Sequence, residues 1–195
     1  MVCQWPFIEI ERKFLVRSND WKANICRTTT IRQSYFPGTI GMTVRVRQTD
    51  HQSRITWKTG RIGISRAEFE IGIGPGYAEW LFGLCPYPAI KKHRCHVLDQ
   101  CCTWHVDTFL GRHAGLTVAE IELEHPTQSF CLPDWIGDEV THDRRISNSS
   151  LYFAASLPNC TSDGRLVPDE MVKRGRTPYG AGAKADGGPP PTTPR

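Results

Sequence analysis

From residue 8 to residue 124 the chain keeps returning to an alternation of apolar and polar positions with a period of two, the spacing of strands whose successive side chains face opposite ways. Ile8-Glu9-Ile10-Glu11-Arg12-Lys13-Phe14 sets the pattern: Glu9, Glu11 and Lys13 share one face, and Ile8, Ile10, Arg12 and Phe14 the other. The alternation recurs at 31–36, 42–48, 54–58, 64–71, 89–97, 103–109 and 117–124. Turns separate these segments. Pro37-Gly38 stops one strand, since proline fixes φ and glycine allows it to be positive. Residues 50–53 read as a hairpin loop, 60–63 as a second turn and Asp99-Gln100 as a third. Short helical structure is expected at Asp20-Trp21-Lys22, and a helix at 77–82 that ends at Gly83. The pattern therefore predicts a mainly β fold of the α+β kind, an antiparallel eight-stranded β-barrel closed on itself, with a few flanking helices. Beyond His125-Pro126 the strand signals stop. Residues 133–137 read as a turn of helix, and Ser147-Asn148 caps a helix through 151–154. Residues 1–157 are expected to form one domain. In 158–195 about a third of residues are glycine or proline, a composition that reads as a disordered tail.

Composition narrows the class. Of 195 residues 39% are hydrophobic and 23% charged, as in a soluble globular protein. No apolar run approaches the roughly 20 residues of a membrane helix, and the opening Met1-Val2-Cys3-Gln4-Trp5-Pro6 lacks the features of a signal peptide, so a cytoplasmic location is expected. The net charge of +4 is interspersed rather than gathered, which argues against a nucleic-acid partner but leaves small anions open. None of the eight cysteines forms a Cys-x-x-Cys pair, and free thiols are expected.

The polar faces carry the chemistry. Arg45-x-Arg47, Lys58, Glu68-x-Glu70, Lys92-x-Arg94, Asp107 and Glu120-x-Glu122-x-Glu124 follow the first strand in order, and Asp143-Arg144-Arg145 comes after the last. Alternation by itself favours charged faces in water around an apolar core. Two features oppose that arrangement: charge sign segregates strand by strand, and the opposite faces carry Trp57, Phe69 and Trp104, which need cover. With Glu9-x-Glu11-x-Lys13 at its head, the ordered set resembles the CYTH domains of the triphosphate tunnel metalloenzymes, most of all the short bacterial members that hydrolyse inorganic triphosphate. The resemblance runs from about residue 6 to residue 153.

The resemblance implies that the charged faces line a tunnel through the barrel, and that the chain hydrolyses inorganic triphosphate to pyrophosphate and phosphate with Mg²⁺ or Mn²⁺. Arginine's planar fork matches phosphate oxygens, and lysine adds a point charge. Arg45, Arg47, Lys58, Lys92, Arg94 and Arg145 are thus the expected phosphate ligands. Hard divalent cations take oxygen donors, which points to Glu9, Glu11, Glu120, Glu122 and Glu124 as metal ligands. Lys13, Arg94 and Glu122 are the expected catalytic residues, with a structural salt bridge equally open for Lys13. Glu68, Glu70, Asp107 and Asp143 are expected to orient the others. The partner is a small-molecule triphosphate, and a homodimer is compatible with the chain.

Two positions depart from the family pattern: Ile146 stands where tyrosine commonly follows the Asp-x-Arg motif, and His105 stands two before Asp107 where a carboxylate is expected. On the same fold the resemblance also admits thiamine triphosphatase and class IV adenylyl cyclase, both of which need a platform for an organic ring. A non-catalytic polyphosphate- or nucleotide-binding module is the reading from another class. The full complement of carboxylates favours the enzyme.

Overall fold

Strands rich in β-branched and aromatic residues, separated by Gly, Pro and Asp turns, form the sheet of the computed structural model, which describes residues 4–37, 41–100, 102–161 and 163–167. The strands are β1 (Gln4–Val16), β2 (Ile25–Phe36), β3 (Met42–Thr49), β4 (Ser53–Thr59), β5 (Ser65–Ile73), β6 (Ile90–Asp99), β7 (Cys102–Phe109), β8 (Thr117–Glu122) and β9 (Ile136–Glu139). All pairs are antiparallel, in the order β5-β4-β3-β2-β6-β7-β8-β1-β9, and an additional β5–β1 pairing closes eight of them into a barrel. β1 makes the closure. Its first half pairs with β5, Glu9 opposite Arg66, and its second half pairs with β8, Glu11 opposite Glu122 and Lys13 opposite Glu120. Closure leaves these strands no free edge.

The period-two pattern then sorts the side chains. Outward residues of β1, β6, β7 and β8, among them Ile10, Phe14, Val97, Trp104, Val106 and Ile121, form an apolar cluster. Trp21, from a 3-10 turn over Asp20–Asn24, and Trp135 cover it. Trp104 is fully buried, edge-on to Phe14 at 5.7 Å and to Trp135 at 5.5 Å. The exposed side of β3 is covered at Val46 by Ala78 and Phe82 of helix α1 (Pro75–Gly83). Trp57 and Phe69 pack on each other with ring centroids 5.6 Å apart. Each buried aliphatic or aromatic side chain of this kind contributes about 1.5–3 kcal/mol.

A second cluster fills one end of the barrel. Leu15, Ile90, Phe109 and Val118 share the inward faces of β1, β6, β7 and β8, and Ile146 with Leu151 and Tyr152 of helix α2 (Asn148–Phe153) packs on them. Ser147 caps α2, accepting from the Ser150 amide at 3.1 Å, as the sequence predicts.

Two expectations need correction. The turn of helix anticipated at 133–137 is in part strand β9, which pairs with β1 beyond the reach of β5. Its signal is weak because Gly137 is placed there by a close approach: a Cβ would collide with the backbone of Gly164, itself at a φ of 72° and tight against Val16 and Arg17. The first part of the expected tail is likewise packed: Cys160 bridges to Leu166, the Val167 amide donates to the Asn159 carbonyl at 2.9 Å, and the Val167 side chain is buried. The remainder, 168–195, lies outside the described residues. Cys26, Cys85, Cys95, Cys102, Cys131 and Cys160 are free thiols. Among the described residues no helix is long and apolar enough to cross a membrane.

Candidate active site

The inward faces of β1, β3, β4, β5, β6 and β8 converge on a cavity of about 410 Å³. Among the described residues seven basic side chains line it (Lys13, Arg45, Arg47, Lys58, Arg61, Arg66 and Arg94), facing six carboxylates (Glu9, Glu11, Glu68, Glu70, Glu120 and Glu122). Alternation places them: residues 9, 11 and 13 of β1, 45 and 47 of β3, and 66, 68 and 70 of β5 each sit two apart and so share a face.

The charges form three connected groups. In the first, Lys58 Nζ lies 2.7 Å from both Glu9 and Glu68, and Arg66 bridges from Glu9 to Glu11, 3.2 Å from the latter. Arg61 also contacts Glu11. In the second, Glu70 receives Arg47 at 2.8 Å, Arg54 at 2.6 Å and the Thr56 hydroxyl at 2.8 Å, with Arg45 3.6 Å away. In the third, Arg94 donates two 2.7 Å hydrogen bonds to Asp107 and one of 2.6 Å to Glu120, while Lys92 also pairs with Asp107. Lys13 lies 2.6 Å from Glu120 and 3.9 Å from Glu11.

These pairings set the protonation states. Burial alone would raise the pKa of Glu9, Glu120 and Asp107, yet Lys58 and Arg66 hold Glu9, Lys13 and Arg94 hold Glu120, and Arg94 and Lys92 hold Asp107 below the ordinary carboxylate range. Burial would lower Lys13, but Glu120 and Glu11 outweigh it and its pKa is raised, so it stays a cation. Arg45 beside it, together with burial, lowers Arg47 to about 10. Lys92, fully buried, is lowered to about 8 despite Asp107. His105 is lowered to about 4 by burial and by Arg94, so at neutral pH it is an uncharged neighbour 3.7 Å from Glu122. Glu122 differs from the other carboxylates. It stands exposed at the rim, its pKa raised by partial desolvation and by Glu9, Glu11 and Glu120.

Of the residues picked out by sequence, Glu9, Glu11, Lys13, Arg45, Arg47, Lys58, Glu68, Glu70, Arg94, Glu120 and Glu122 are brought together. Lys92 and Asp107 stand behind this wall, 1% exposed each and joined to it through Arg94. Glu124 lies two residues past the end of β8, exposed, and does not line the cavity. Arg145 and Asp143 pair with each other at 2.7 Å outside the cavity lining, where Asp143 caps the 3-10 turn Arg144–Ile146. Ile146 is buried in the apolar plug. Arg54, Arg61 and Arg66 are absent from the sequence-based set. For Arg66 and Arg54 a signal existed, because they share parity with Glu68 and Glu70 and with Thr56 and Lys58; Arg61 lies in a turn and has no such signal.

Comparison with known proteins agrees with this arrangement. The family model described as "CYTH domain" matches residues 8–151. An inorganic triphosphatase of Acetivibrio thermocellus is 42% identical over 144 residues, covering 73% of this chain and 92% of that protein. One of Nitrosomonas europaea is 33% identical over 154 residues, covering 77% and 99%. A crystal structure of an inorganic triphosphatase superposes with a TM-score of 0.58 at 30% identity, covering 76% of this chain and 96% of that one. Barrel, inward charges, family match and well-covered relatives coincide on the same residues: the chain belongs to the CYTH domain family.

Proposed function

We propose that this protein hydrolyses inorganic triphosphate to pyrophosphate and phosphate with the help of Mg²⁺ or Mn²⁺. The observation that carries the reading is the cavity itself, small, lined by seven cations and six carboxylates, and backed by an apolar plug. Arg45 adds a donor: its Nε is buried with no hydrogen-bond partner among the described residues. A buried guanidinium N–H left without an acceptor is costly, and a phosphate oxygen would satisfy it. Among the described residues the one aromatic lining the cavity is Tyr35, 4% exposed and packed into the plug, so these residues offer no ring platform that would favour an adenosine or thiamine moiety.

The donor chemistry fits a hard divalent ion, since the lining offers carboxylate oxygens. Among the described residues no three His, Cys, Asp or Glu side chains are gathered to bind a metal by themselves. Mg²⁺ commonly uses one or two carboxylates, completing its shell with water and substrate phosphate. Glu122, with Glu11 opposite it across the β1–β8 pairing, would supply that kind of site. When bound, the cation would neutralise phosphate oxygens and acidify water.

The chain's own residues do the rest. Arg45, Arg47, Lys58 and Arg94 bind and orient the polyphosphate, and charge that develops on its oxygens in the transition state meets fixed guanidiniums that need no reorganisation. Lys13, protonated throughout, holds Glu120 in place and adds positive charge. Glu122 is the carboxylate best suited to take a proton from the attacking water, since it is exposed and its pKa is raised.

Phosphate release from triphosphate, pyrophosphate, ATP and thiamine triphosphate, each with Mg²⁺ and with Mn²⁺, tests the proposal. Triphosphate should lead; faster turnover of either organic triphosphate would reassign the substrate, and tight binding without release would make the protein a binding module. Glu11→Gln should lower kcat on triphosphate by roughly 10²–10³-fold even at saturating substrate. Arg47→Ala, losing a charged hydrogen bond, should lower kcat/KM by about 10–100-fold, chiefly through KM.

A further inference from the structure

Glu9 and Glu11, the two carboxylates at the head of β1, have no unclaimed charge to offer. Arg66 lies directly across the β1–β5 pairing from Glu9. Its Nε donates to Glu9 Oε2 while its Nη2 reaches Glu11 Oε1 at 3.2 Å, so one guanidinium spans both acids. Arg61 comes to the same Glu11 oxygen from the turn between β4 and β5, where Ile62 pairs with Ser65 around Gly63 at a φ of 62°. Arg66 is 20% exposed at its side chain and Arg61 26%, so both can exchange partners without crossing the core. Glu9 and Glu11 are also carboxylates that would hold a divalent metal.

We infer that Arg61 and Arg66 are resident counter-ions of the Glu9/Glu11 pair, keeping it neutralised until substrate arrives, and that triphosphate draws the two guanidiniums from carboxylate to phosphate. The inference rests on the reading of the cavity as a triphosphate site. Its consequence is cooperative loading. A divalent ion alone must compete with two guanidiniums for Glu9 and Glu11, and at Glu9 with Lys58 as well, 2.7 Å away, and the arginines return as soon as it leaves. Once phosphate oxygens hold the arginines, which bind them bidentately, the carboxylates are released to the ion, and each ligand raises the affinity of the other.

Calorimetric titration of Mg²⁺ into the full-length protein, with no phosphate compound present, tests this directly. Arg66→Gln should bind Mg²⁺ about tenfold or more tightly than the parent, Arg61→Gln should shift the same way by less, and Arg66→Lys should bind like the parent because it keeps the charge. Thermal melts should agree, with Mg²⁺ raising the midpoint of Arg66→Gln more than that of the parent. Should Arg66→Gln fold only when Mg²⁺ is supplied, the ion is replacing the guanidinium and the inference stands. If Arg61→Gln and whichever Arg66→Gln protein folds bind Mg²⁺ no more tightly than the parent, or if Arg66→Gln fails to fold with Mg²⁺ while Arg61→Gln is unchanged in affinity, the inference is overturned. Failure of the triphosphatase reading shows separately, as a parent protein that releases no phosphate from triphosphate.

Discussion

Within one barrel the inward faces of four neighbouring strands change character along their length. β1 passes from Glu9, Glu11 and Lys13 to Leu15; β6, read backwards, from Arg94 and Lys92 to Ile90; β7 from Asp107 to Phe109; and β8, also backwards, from Glu122 and Glu120 to Val118. The charged half lines the cavity, with Lys92 and Asp107 buried behind the lining, and the apolar half is closed by Ile146, Leu151 and Tyr152. The halves are stabilised by opposite physics. The plug gains by removing apolar area from water. The charged half loses solvation and recovers it only where each ion has a partner, which makes it a poor source of net stability and a strong source of positional order. What the comparison teaches is that the plug supports the fold while the charge lattice holds donors and acceptors in readiness for a ligand.

Breaking one member of the lattice should therefore cost more than thinning the plug. Asp107 neutralises both Lys92 and Arg94 at 1% exposure, so Asp107→Asn should lose about 3–5 kcal/mol in denaturant unfolding. A loss under about 1 kcal/mol would mean that water reaches these cations and the lattice is not dry. Leu151→Ala, in the plug, should cost about 2–4 kcal/mol and leave the KM for triphosphate nearly unchanged, since Leu151 does not line the cavity. A large KM change would show that the plug shapes the site.

Acid distinguishes the halves without mutation. Glu9, Glu120 and Asp107 titrate below their ordinary values in the folded protein. The unfolded chain takes up protons near pH 4 while the folded one resists, so their contribution is complete above about pH 5 and is lost as pH falls through the folded values. The melting temperature should drop steeply from about pH 5 to pH 3, with the same slope in Leu151→Ala. A flat profile would argue that these carboxylates are not held ionised. The smallest effect belongs outside both halves: Asp143→Ala, removing the cap that accepts from the Arg145 amide at 2.9 Å, should cost about 1 kcal/mol and leave kcat intact.

Sequence made the strands and most of the site legible because period-two alternation survives in any environment and short motifs keep their parity: Glu9-x-Glu11-x-Lys13, Arg45-x-Arg47 and Glu68-x-Glu70 all reach the cavity. The same parity extended to Arg66 would have added one more cavity cation, and extended to Arg54 a partner of Glu70, while Arg61 in its turn stays beyond its reach. It misleads at strand ends, where Glu124 keeps the parity of Glu122 after the strand has stopped, and it says nothing outside strands, where Arg145 belongs to a capped turn. β9 escaped because Gly137 and Gly164 answer to a backbone approach between segments far apart in the chain.

By itself the sequence determined which residues alternate, which types they are and in what order they come, and hence a barrel with a charged face. Only the tertiary structure decided how deep each charge sits and which partner it takes. Alternation gives the direction of a side chain but not its height in the barrel, and the stagger between paired strands sets Glu9 opposite Arg66, carries Lys92 behind the wall and leaves Glu122 at the rim.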